Sequence, residues 1–535
     1  MFTVDNGIID ANRLPKQVQS AMPCVCYTPD LVLKYIRSLK TNSSAGPDGL
    51  PAVFFKETDC LIALPLSMIF NLSLQEGVIP DVWKLASVVP VFKKGQPGDP
   101  CNYRPISLTC IACKLMECGV KDTMLTFLKN CGILNASQHG FMMSKSTTTQ
   151  LLECNFDWNA AIKNKHGVDV VYLDFAKAFD SVVHSKLIVK LRSYGVSDMI
   201  LRWIDAFLSN RFQYVRIDSC VSGLCSVISG VPQGSVLGPV LFIVYVNDIS
   251  DCIASNVTVK LFADDTKLYT VITKDDDNCA QLQHSLDSIA SWAEHWQLKL
   301  SPKKCAVMHI TPRRPNVAAA DYTIGCVTLP VVDQFTDLGV SYDNHLRFSC
   351  HIDKIVSKAS SRARLILKCF CSRDSVLLTR AYCTYVRPLL EFSSVIWSPH
   401  TKKDINRIES VQRKFTRAVC NLRGCTYEER LLNLGLDSLL CRRIKADLIL
   451  CYKMLHGLIY IDPTCSVVPS QTAFTRGHSS KLVKFCVATD RDKYFFTHRV
   501  VSVWNALPDS VVSSSSLENF KRKLKNVDLS EFTSL

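Results

Sequence analysis

Three carboxylates stand where the sequence predicts the ends of buried strands. The apolar run at 168–173 leads directly into Asp174, and ninety residues later the segment KLFADDTKLY carries Asp264 and Asp265 between two apolar half-strands. A carboxylate at the end of a buried strand is costly unless it binds a cation or another partner. Taken alone, an Asp-Asp pair is more often a solvated turn. With Asp174, the pair could instead hold two Mg²⁺ ions roughly 3.5–4 Å apart, as phosphoryl transfer requires.

A segment rich in glycine and proline, SGVPQGSVLGP (229–239), lies between these acidic positions. Gly230, Gly234 and Gly238 permit close approach of another backbone or a ligand, and the two prolines restrict the path of the chain. The segment could be a plain turn. Its position between two acidic strand ends favours a surface that faces a substrate.

The elements that must position these residues change character along the chain. We expect a short helix within PDLVLKYIRSLK, an exposed loop at 41–51, and helical stretches from 52 to 165 interrupted by the loop KKGQPGDPCNYRP. Short apolar runs between 168 and 345, such as VDVVYLDF and CAVMHI, predict strands separated by helices. This alternation predicts an α/β or α+β sheet with helices packed against it.

Residues 350–460 are predicted to be almost entirely helical. The segment INRIESVQRKFTRAVCNL places apolar residues on one helical face, at Ile405, Ile408, Val411, Phe415 and Val419. The opposite face carries three basic residues, Arg407, Lys414 and Arg417. Beyond 460 the pattern is mixed and includes a serine-rich run at 510–516 that we expect to be flexible.

Charge and composition describe a folded protein with a polyanionic partner. Hydrophobic residues make up 47% of the 535 residues, and 62 Lys and Arg stand against 48 Asp and Glu, for a formal charge of +14. Residues 347–425 contain sixteen basic and five acidic residues, and residues 84–145 contain eight and three. Two concentrated basic regions suit contact with a nucleic-acid backbone.

The cysteines and the N-terminus predict a location inside the cell. The 25 cysteines are odd in number and scattered, which favours a reducing compartment, the nucleus or the cytoplasm. Cys110 and Cys113 form the only pair with metal-ligand spacing, and buried free thiols are the better interpretation. The N-terminus lacks the pattern of a signal peptide, and the longest apolar runs are too short to span a bilayer.

An ordered series of motifs resembles the reverse transcriptase domain of non-LTR retrotransposons, closest to the jockey and CR1-like elements of animals. In chain order the motifs are SAGPDGLP, WKLASVVPVFKKGQPGDPCNYRPISLT, QHGF, YLDFAKAFDSVVHSKL, SGVPQGSVLGPVLFIVYVNDI, LFADDTKLY, LKLSPKKCAVMHI and FTDLGVSYD. HIDKIVSKA, IESVQRKFTRAV and VSVWNALPDSV resemble the C-terminal region of these elements. One such motif would be weak evidence, whereas the ordered set is specific.

The resemblance implies an RNA-directed DNA polymerase with an α+β, right-hand fold. We expect an N-terminal lead-in at 1–50, fingers and an antiparallel-sheet palm at 51–345, a helical thumb-like region at 346–460 and a mostly helical extension at 461–535. The implied cofactors are two Mg²⁺ ions, with Mn²⁺ as a possible substitute. The implied partners are an RNA template, a DNA primer and dNTPs. Oligomeric state is left open.

The resemblance also implies roles for individual residues. Asp174, Asp264 and Asp265 would be the catalytic metal ligands, together with the backbone carbonyl of Phe175. The aromatic ring of Phe179 would act as a steric gate against a ribose 2′-hydroxyl, or would be an ordinary core ring. The remaining nucleotide-binding positions would be Lys93, Arg104, Gln233 and Lys304, and the basic thumb positions would be Arg407, Lys414 and Arg417. Asp180 would be a helix cap or a neighbour of the metal ligands.

Two departures from the family pattern and one absence temper these expectations. Met142-Met143-Ser144-Lys145 follows QHGF where relatives carry a basic run, which could weaken a template contact, and Ser301-Pro302 stands where relatives often have Asn. Relatives carry an upstream endonuclease, whereas the resemblance here begins almost at Met1, so we expect a truncated element or a partial reading frame.

Two alternatives to an active reverse transcriptase stay open. One is a decayed element that binds RNA without catalysis. The other is a different right-hand polymerase, such as an intron maturase or an RNA-dependent RNA polymerase.

Overall fold

The computed structural model of the chain describes residues 2–10, 13–15, 18, 20–273, 277–312, 320–419, 424–462, 465–470, 478–487 and 489–533. These residues form a mixed helix and sheet structure with two large hydrophobic cores, which confirms the predicted fold class at this coarse level. In the part of the chain that the structure describes, no helix is long and apolar enough to cross a membrane.

The chain begins with helices and a two-stranded hairpin. The elements are α1 (Pro29–Ser38), α2 (Ala52–Glu57), α3 (Asp59–Glu76), α4 (Asp81–Lys84), β1 (Leu85–Phe92), β2 (Tyr103–Leu108), α5 (Ile111–Asn130) and α6 (Thr147–Lys163). α1 confirms the predicted first helix, and the Thr28 hydroxyl caps it. The prediction of helices alone between 52 and 165 is wrong, because β1 and β2 pair antiparallel around the loop at 93–102. β1 also pairs with a strand more than a hundred residues later, a contact that local patterning cannot reveal.

The middle of the chain contains most strands of two larger sheets and two hairpins, in which β10 pairs with β11 and β12 with β13. The elements are β3 (Gly167–Leu173), α7 (His184–Ser193), α8 (Asp198–Leu208), β4 (Arg211–Ile217), β5 (Cys220–Val221), β6 (Cys225–Val227), α9 (Gly238–Val246), β7 (Thr258–Phe262), β8 (Asp265–Ile272), α10 (Asn278–His295), β9 (Ala306–Ile310), β10 (Thr323–Ile324), β11 (Val327–Thr328), β12 (Gln334–Asp337) and β13 (Val340–Asp343). One sheet has the order β2-β1-β4-β5, with β6 also paired to β4. The other has the order β7-β8-β3-β9, and all its pairs are antiparallel.

The predicted strands around the carboxylates are confirmed as β3, β7, β8 and β9. β3 pairs on one side with β8 and on the other with β9, so it lies in the interior of its sheet. All its residues after Gly167 are buried, because helices and loops cover both faces. This explains why its sequence is an almost continuous apolar run rather than an alternating one.

The last part of the chain is helical, as predicted for 350–460. The elements are α11 (Ser349–Cys369), α12 (Ser375–Tyr385), α13 (Arg387–Glu391), α14 (Ser394–Trp397), α15 (Lys402–Arg417), α16 (Tyr427–Asn433), α17 (Leu439–Leu455), α18 (Asp490–Tyr494), α19 (Phe496–Asn505), α20 (Asp509–Val512), α21 (Leu517–Leu524) and α22 (Ser530–Thr533). The apolar face predicted for α15 is buried. Helices from both 346–460 and 461–535 contribute to the second core. Within 461–535, residues 463–464, 471–477, 488 and 534–535 lie outside the described residues.

Candidate active site

The first carboxylate, Asp174, directly follows the central strand β3. Its backbone carbonyl accepts a hydrogen bond from the Ser301 amide at 2.9 Å. Its side chain remains 40% exposed and lines a cavity of about 110 Å³. The next residue, Phe175, is buried and forms a β-bridge with Leu300. The neighbouring segment therefore fixes the backbone, while the carboxylate of Asp174 faces an open space.

The other two carboxylates lie in the hairpin between β7 and β8. Phe262 pairs with Asp265, so Ala263 and Asp264 form a two-residue turn, which confirms the predicted hairpin. In the β3–β8 ladder Leu173 pairs with Thr266. One further step along this antiparallel register puts Asp174 opposite Asp265, so strand pairing brings the three carboxylates to one edge of the sheet.

Burial and neighbouring negative charge make Asp264 and Asp265 hold their protons more tightly than free aspartates. Burial raises the pKa of Asp264, and the negative charge of Asp174 raises it further. Burial raises the pKa of Asp265 to about 6, with additional contributions from the charges of Asp264, Asp337 and Asp174. The Asp265 side chain is nevertheless exposed at the rim, so water and salt weaken the charge contribution.

The donor set at this edge fits a hard divalent cation. Carboxylate oxygens are the ligands that Mg²⁺ prefers, and a bound cation would remove the repulsion that raises these pKa values. Across the described ranges, however, no group of three or more His, Cys, Asp or Glu side chains is arranged as a metal-binding cluster. Cys110 and Cys113 are buried, as predicted.

Basic side chains surround the carboxylates. Lys93 follows β1 and Arg104 lies in β2, and both are exposed. The positive charges of both act to lower the pKa of Asp264, so the β1–β2 hairpin brings them within electrostatic reach of the turn. On the other side, Lys304 Nζ lies 3.3 Å from Asp174 Oδ2. Lys304 thus lies in ion-pair contact with the carboxylates, and Lys93 and Arg104 lie near enough for their charges to act on Asp264.

Phe179 lies in a 3₁₀ turn, Ala178–Asp180, shortly after Asp174. Its ring stacks on Phe242 with centroids 4.2 Å apart. The edge of Phe141 approaches from another side, with centroids 6.3 Å apart. The ring is only partly buried. It is therefore fixed by two other rings while keeping an accessible surface.

The side chain of Gln233 is oriented by a hydrogen bond to Asp180. Its Nε2 donates to Asp180 Oδ1 at 2.8 Å, and its carbonyl accepts from the Ser107 amide at 2.7 Å. Gly234 has φ +131°, and a Cβ there would lie 2.3 Å from the Ser107 carbonyl oxygen. At Gly230 a Cβ would lie 2.7 Å from the Asp180 Cα. The close approach that these glycines permit is therefore to the protein's own backbone.

Two polar features beside the carboxylates were not predicted. Lys267 in β8 forms a buried ion pair with Asp337 at the end of β12. Gln138 accepts a hydrogen bond from the Ala263 amide in the turn. The sequence does contain their motifs, QHGF and FTDLGVSYD, but a motif does not say which side chain meets which atom.

The predicted basic residues of the helical part lie on the exposed face of one helix. Arg407, Lys414 and Arg417 are exposed on α15, which packs mainly against α11, α16 and α17. Arg407 forms an ion pair with Asp353 of α11. α11 itself exposes a row of basic residues that sequence analysis missed, although their four-residue spacing was visible: Lys354, Lys358 and Arg362.

The unusual segment after QHGF is tied to the C-terminal part of the chain. Lys145 Nζ lies 4.6 Å from the centroid of the Tyr460 ring and donates to the Ala136 carbonyl. The Tyr460 amide donates to the Ser144 carbonyl at 2.8 Å. The one basic residue of this segment therefore has partners within the protein.

Comparison with known proteins agrees with this geometry. Residues 91–342 match the family described as reverse transcriptase (RNA-dependent DNA polymerase). The chain is 28% identical over 427 residues to the RNA-directed DNA polymerase from mobile element jockey of Drosophila melanogaster, covering 76% of this chain and 45% of the relative. It is 27% identical over 425 residues to the jockey enzyme of Drosophila funebris, covering 77% of this chain and 46% of the relative.

A third relative extends the same pattern. The "probable RNA-directed DNA polymerase from transposon BS" of Drosophila melanogaster is 28% identical over 443 residues, covering 80% of this chain and 48% of the relative. The chain thus spans about half the length of these relatives. Residues 91–342 thus match the reverse transcriptase family, and over most of its length the chain is similar to RNA-directed DNA polymerases of mobile elements.

Proposed function

We propose that the chain is an RNA-directed DNA polymerase that adds dNTPs to the 3′-hydroxyl of a DNA primer on an RNA template. The observation that carries this proposal is the meeting of Asp174, Asp264 and Asp265 at one sheet edge inside the reverse transcriptase domain. In this proposal residues 51–345 are fingers and palm, 346–460 the thumb, and 461–535 an extension of it. DNA synthesis would take place where the RNA template is found, in the nucleus or the cytoplasm.

The carboxylates would hold two Mg²⁺ ions, or Mn²⁺ in their place, with the carbonyl of Phe175 as a further ligand. When bound, these ions would supply activation of the primer hydroxyl and charge stabilisation of the triphosphate. The chain's own contribution is to keep three like charges together in partial burial. This keeps the apo site poised for a cation, because each carboxylate is destabilised by the others.

The basic residues would bind the triphosphate. Arg104 offers a planar fork of donors that matches phosphate oxygens, and Lys93 and Lys304 add point charges on either side of the carboxylates. Gln233, oriented by Asp180, would pack near the incoming nucleotide and the template base. The ring of Phe179 would exclude a ribose 2′-hydroxyl, because Phe242 leaves it little room to turn away.

The helical region would follow the template–primer backbone without reading its sequence. The exposed basic residues of α11 and α15 provide the charge for such contact, which goes to phosphates and is therefore salt-dependent. Arg407 is partly neutralised by Asp353, so Lys414, Arg417 and the row on α11 would carry more of the binding.

A primer-extension assay tests the proposal. Purified chain is incubated with primed homopolymer RNA, Mg²⁺ or Mn²⁺, and either dNTPs or rNTPs. We expect metal-dependent dNTP incorporation, no comparable rNTP incorporation, and loss of at least about a hundredfold in Asp264→Asn. Asp198→Asn, the same substitution at an exposed position of α8, should be fully active. Folded wild-type protein that binds RNA without incorporation, or an active Asp264→Asn variant, would refute the catalytic claim.

A further inference from the structure

Residues 137–141 run alongside the hairpin that carries Asp264 and Asp265. The Leu261 amide donates to the Ser137 carbonyl at 3.0 Å, and the Leu261 carbonyl accepts from the His139 amide at 2.8 Å. These bonds make a short parallel bridge between Gln138 and Leu261. At Gly140 an added Cβ would lie 2.4 Å from the Ala263 nitrogen. The segment is therefore in direct backbone contact with the turn.

The Gln138 side chain accepts a hydrogen bond from the turn at Ala263, whose backbone conformation is unfavourable for an alanine. Its Oε1 accepts from the Gly140 amide at 2.8 Å and from the Ala263 amide at 3.0 Å, and the residue is 2% exposed. Ala263 has φ +57°, the left-handed region that costs an alanine about 1 kcal/mol or more. Such a conformation persists only when its surroundings impose it. Gln138 supplies the acceptor that this conformation needs.

The support beneath Gln138 is itself rigid. The next residue, His139, is buried and bonded through Nδ1 to the Thr149 hydroxyl at 3.0 Å, and its Nε2 lies 3.3 Å from Glu153. Glu153 also accepts from Lys260 Nζ at 2.5 Å, and Lys260 lies in β7. The segment is thus fastened to α6 and, through Glu153, to β7, the strand that leads into the turn.

We propose that Gln138 is a positioning residue that holds the Ala263–Asp264 turn in the conformation in which Asp264 and Asp265 face Asp174. The proposal rests on the proposed polymerase function for its catalytic consequence, but the positioning itself does not. Without the Gln138 acceptor, the Ala263 amide would be buried and unbonded, and the turn would relax toward conformations that alanine prefers. The two carboxylates would then meet the metal less often in the required arrangement.

Hydrogen–deuterium exchange measures the positioning without any activity. In Gln138→Met, exchange in peptides that contain the Ala263 amide should accelerate about tenfold, because one hydrogen bond is lost and its donor left unpaired. The matched control is Gln412→Met in α15. Gln412 is equally buried and makes two hydrogen bonds, to Tyr427 and to the Asp437 carbonyl. It should lower overall stability without changing exchange in the turn. Unchanged exchange at Ala263 in Gln138→Met would overturn the proposal.

A second substitution separates positioning from a general loss of stability. Glycine adopts φ +57° without penalty, so Ala263→Gly should restore much of what Gln138→Met loses. We expect Gln138→Met to weaken Mn²⁺ binding, followed by electron paramagnetic resonance, by about fivefold to tenfold, and the double variant to recover most of it. A double variant no better than Gln138→Met would contradict the role of the turn. If exchange at Ala263 is faster in Gln138→Met than in the wild type, but the wild type has no polymerase activity, the inference stands and the proposed function is refuted.

Discussion

The buried ion pair between Lys267 and Asp337 joins the hairpin that carries Asp264 and Asp265 to the β12–β13 hairpin. The side chains of Lys267 and Asp337 are 4% and 7% exposed. Lys267 lies two residues after Asp265, and the charges of Asp337 and Lys267 act in opposite directions on the Asp265 carboxylate. The pair therefore serves packing and site electrostatics together. Replacing one member of the pair tests whether it contributes to stability as a buried ion pair or only as an ordinary surface pair does.

Lys267→Met should be strongly destabilising. It keeps the length and apolar volume of the side chain but leaves Asp337 charged and buried without its partner. Removing one member of a buried pair typically costs about 3–5 kcal/mol, against about 0–1 kcal/mol for an exposed pair. Replacing both members, in Lys267→Met with Asp337→Leu, removes the unpaired charge. The double variant should recover to within about 1–2 kcal/mol of the wild type.

Urea unfolding followed by tryptophan fluorescence can measure these differences. Trp158 lies 5.8 Å from the ring of Tyr269 in β8 and 5.3 Å from that of Tyr342 in β13, so it reports on the core that joins the two hairpins.

Two outcomes would refute this reasoning. A loss below about 1 kcal/mol in Lys267→Met would mean that the pair behaves as an exposed one. A double variant as unstable as the single one would mean that volume, rather than the uncompensated charge of Asp337, sets the cost.

Two further predictions concern pH and salt. Because the pKa of Asp265 is raised to about 6, Mn²⁺ binding and incorporation should rise as pH increases through 6. The effect on stability has the opposite sign. Because the folded apo protein binds the Asp265 proton more tightly than the unfolded chain does, the contribution of Asp265 to the free energy of unfolding declines as pH rises from about 4 to 6. A Mn²⁺ affinity that stays constant between pH 5 and pH 7 would contradict the prediction for metal binding. For salt, Lys358→Ala and Arg362→Ala should each reduce the slope of log affinity for primed RNA against log salt by about 1, whereas Lys34→Ala in α1 should leave it unchanged. Equal slopes in all variants would exclude α11 from the interface.

The strands and turn that present the carboxylates could be predicted because they depend on local patterning. The run before Asp174 is apolar at every position from 168 to 173 except Asp169, a pattern typical of an interior strand, and the Asp264–Asp265 pair falls where two apolar half-strands need a turn. The helical face of α15 follows from its spacing for the same reason. These signals are contained within about twenty residues each, so no distant contact is needed to interpret them.

The contacts that fix the site could not be predicted, because they join residues far apart in sequence. Gln138 meets Ala263 across 125 positions, and Lys267 meets Asp337 across 70. The prediction that the serine-rich run at 510–516 is flexible is wrong for a related reason. Ser514 is buried against Tyr452 of α17, and Ser516 caps α21. Serine composition favours turns and caps equally, and only the tertiary partner decides between them.

The arrangement of charge at the carboxylate edge also explains why the Gln138 and Lys267 contacts converge there. Asp174, Asp264 and Asp265 raise one another's free energy when ionised, so without a cation the turn gains by moving the last two away from the first. Strand pairing to Phe262 holds only Asp265, and Asp264 in the two-residue turn has no ladder partner. The Gln138 acceptor on one side and the Lys267 ion pair on the other supply the opposing force. If this is correct, saturating Mn²⁺ should reduce the exchange difference between Gln138→Met and the wild type, because the cation then replaces repulsion by attraction among the same carboxylates.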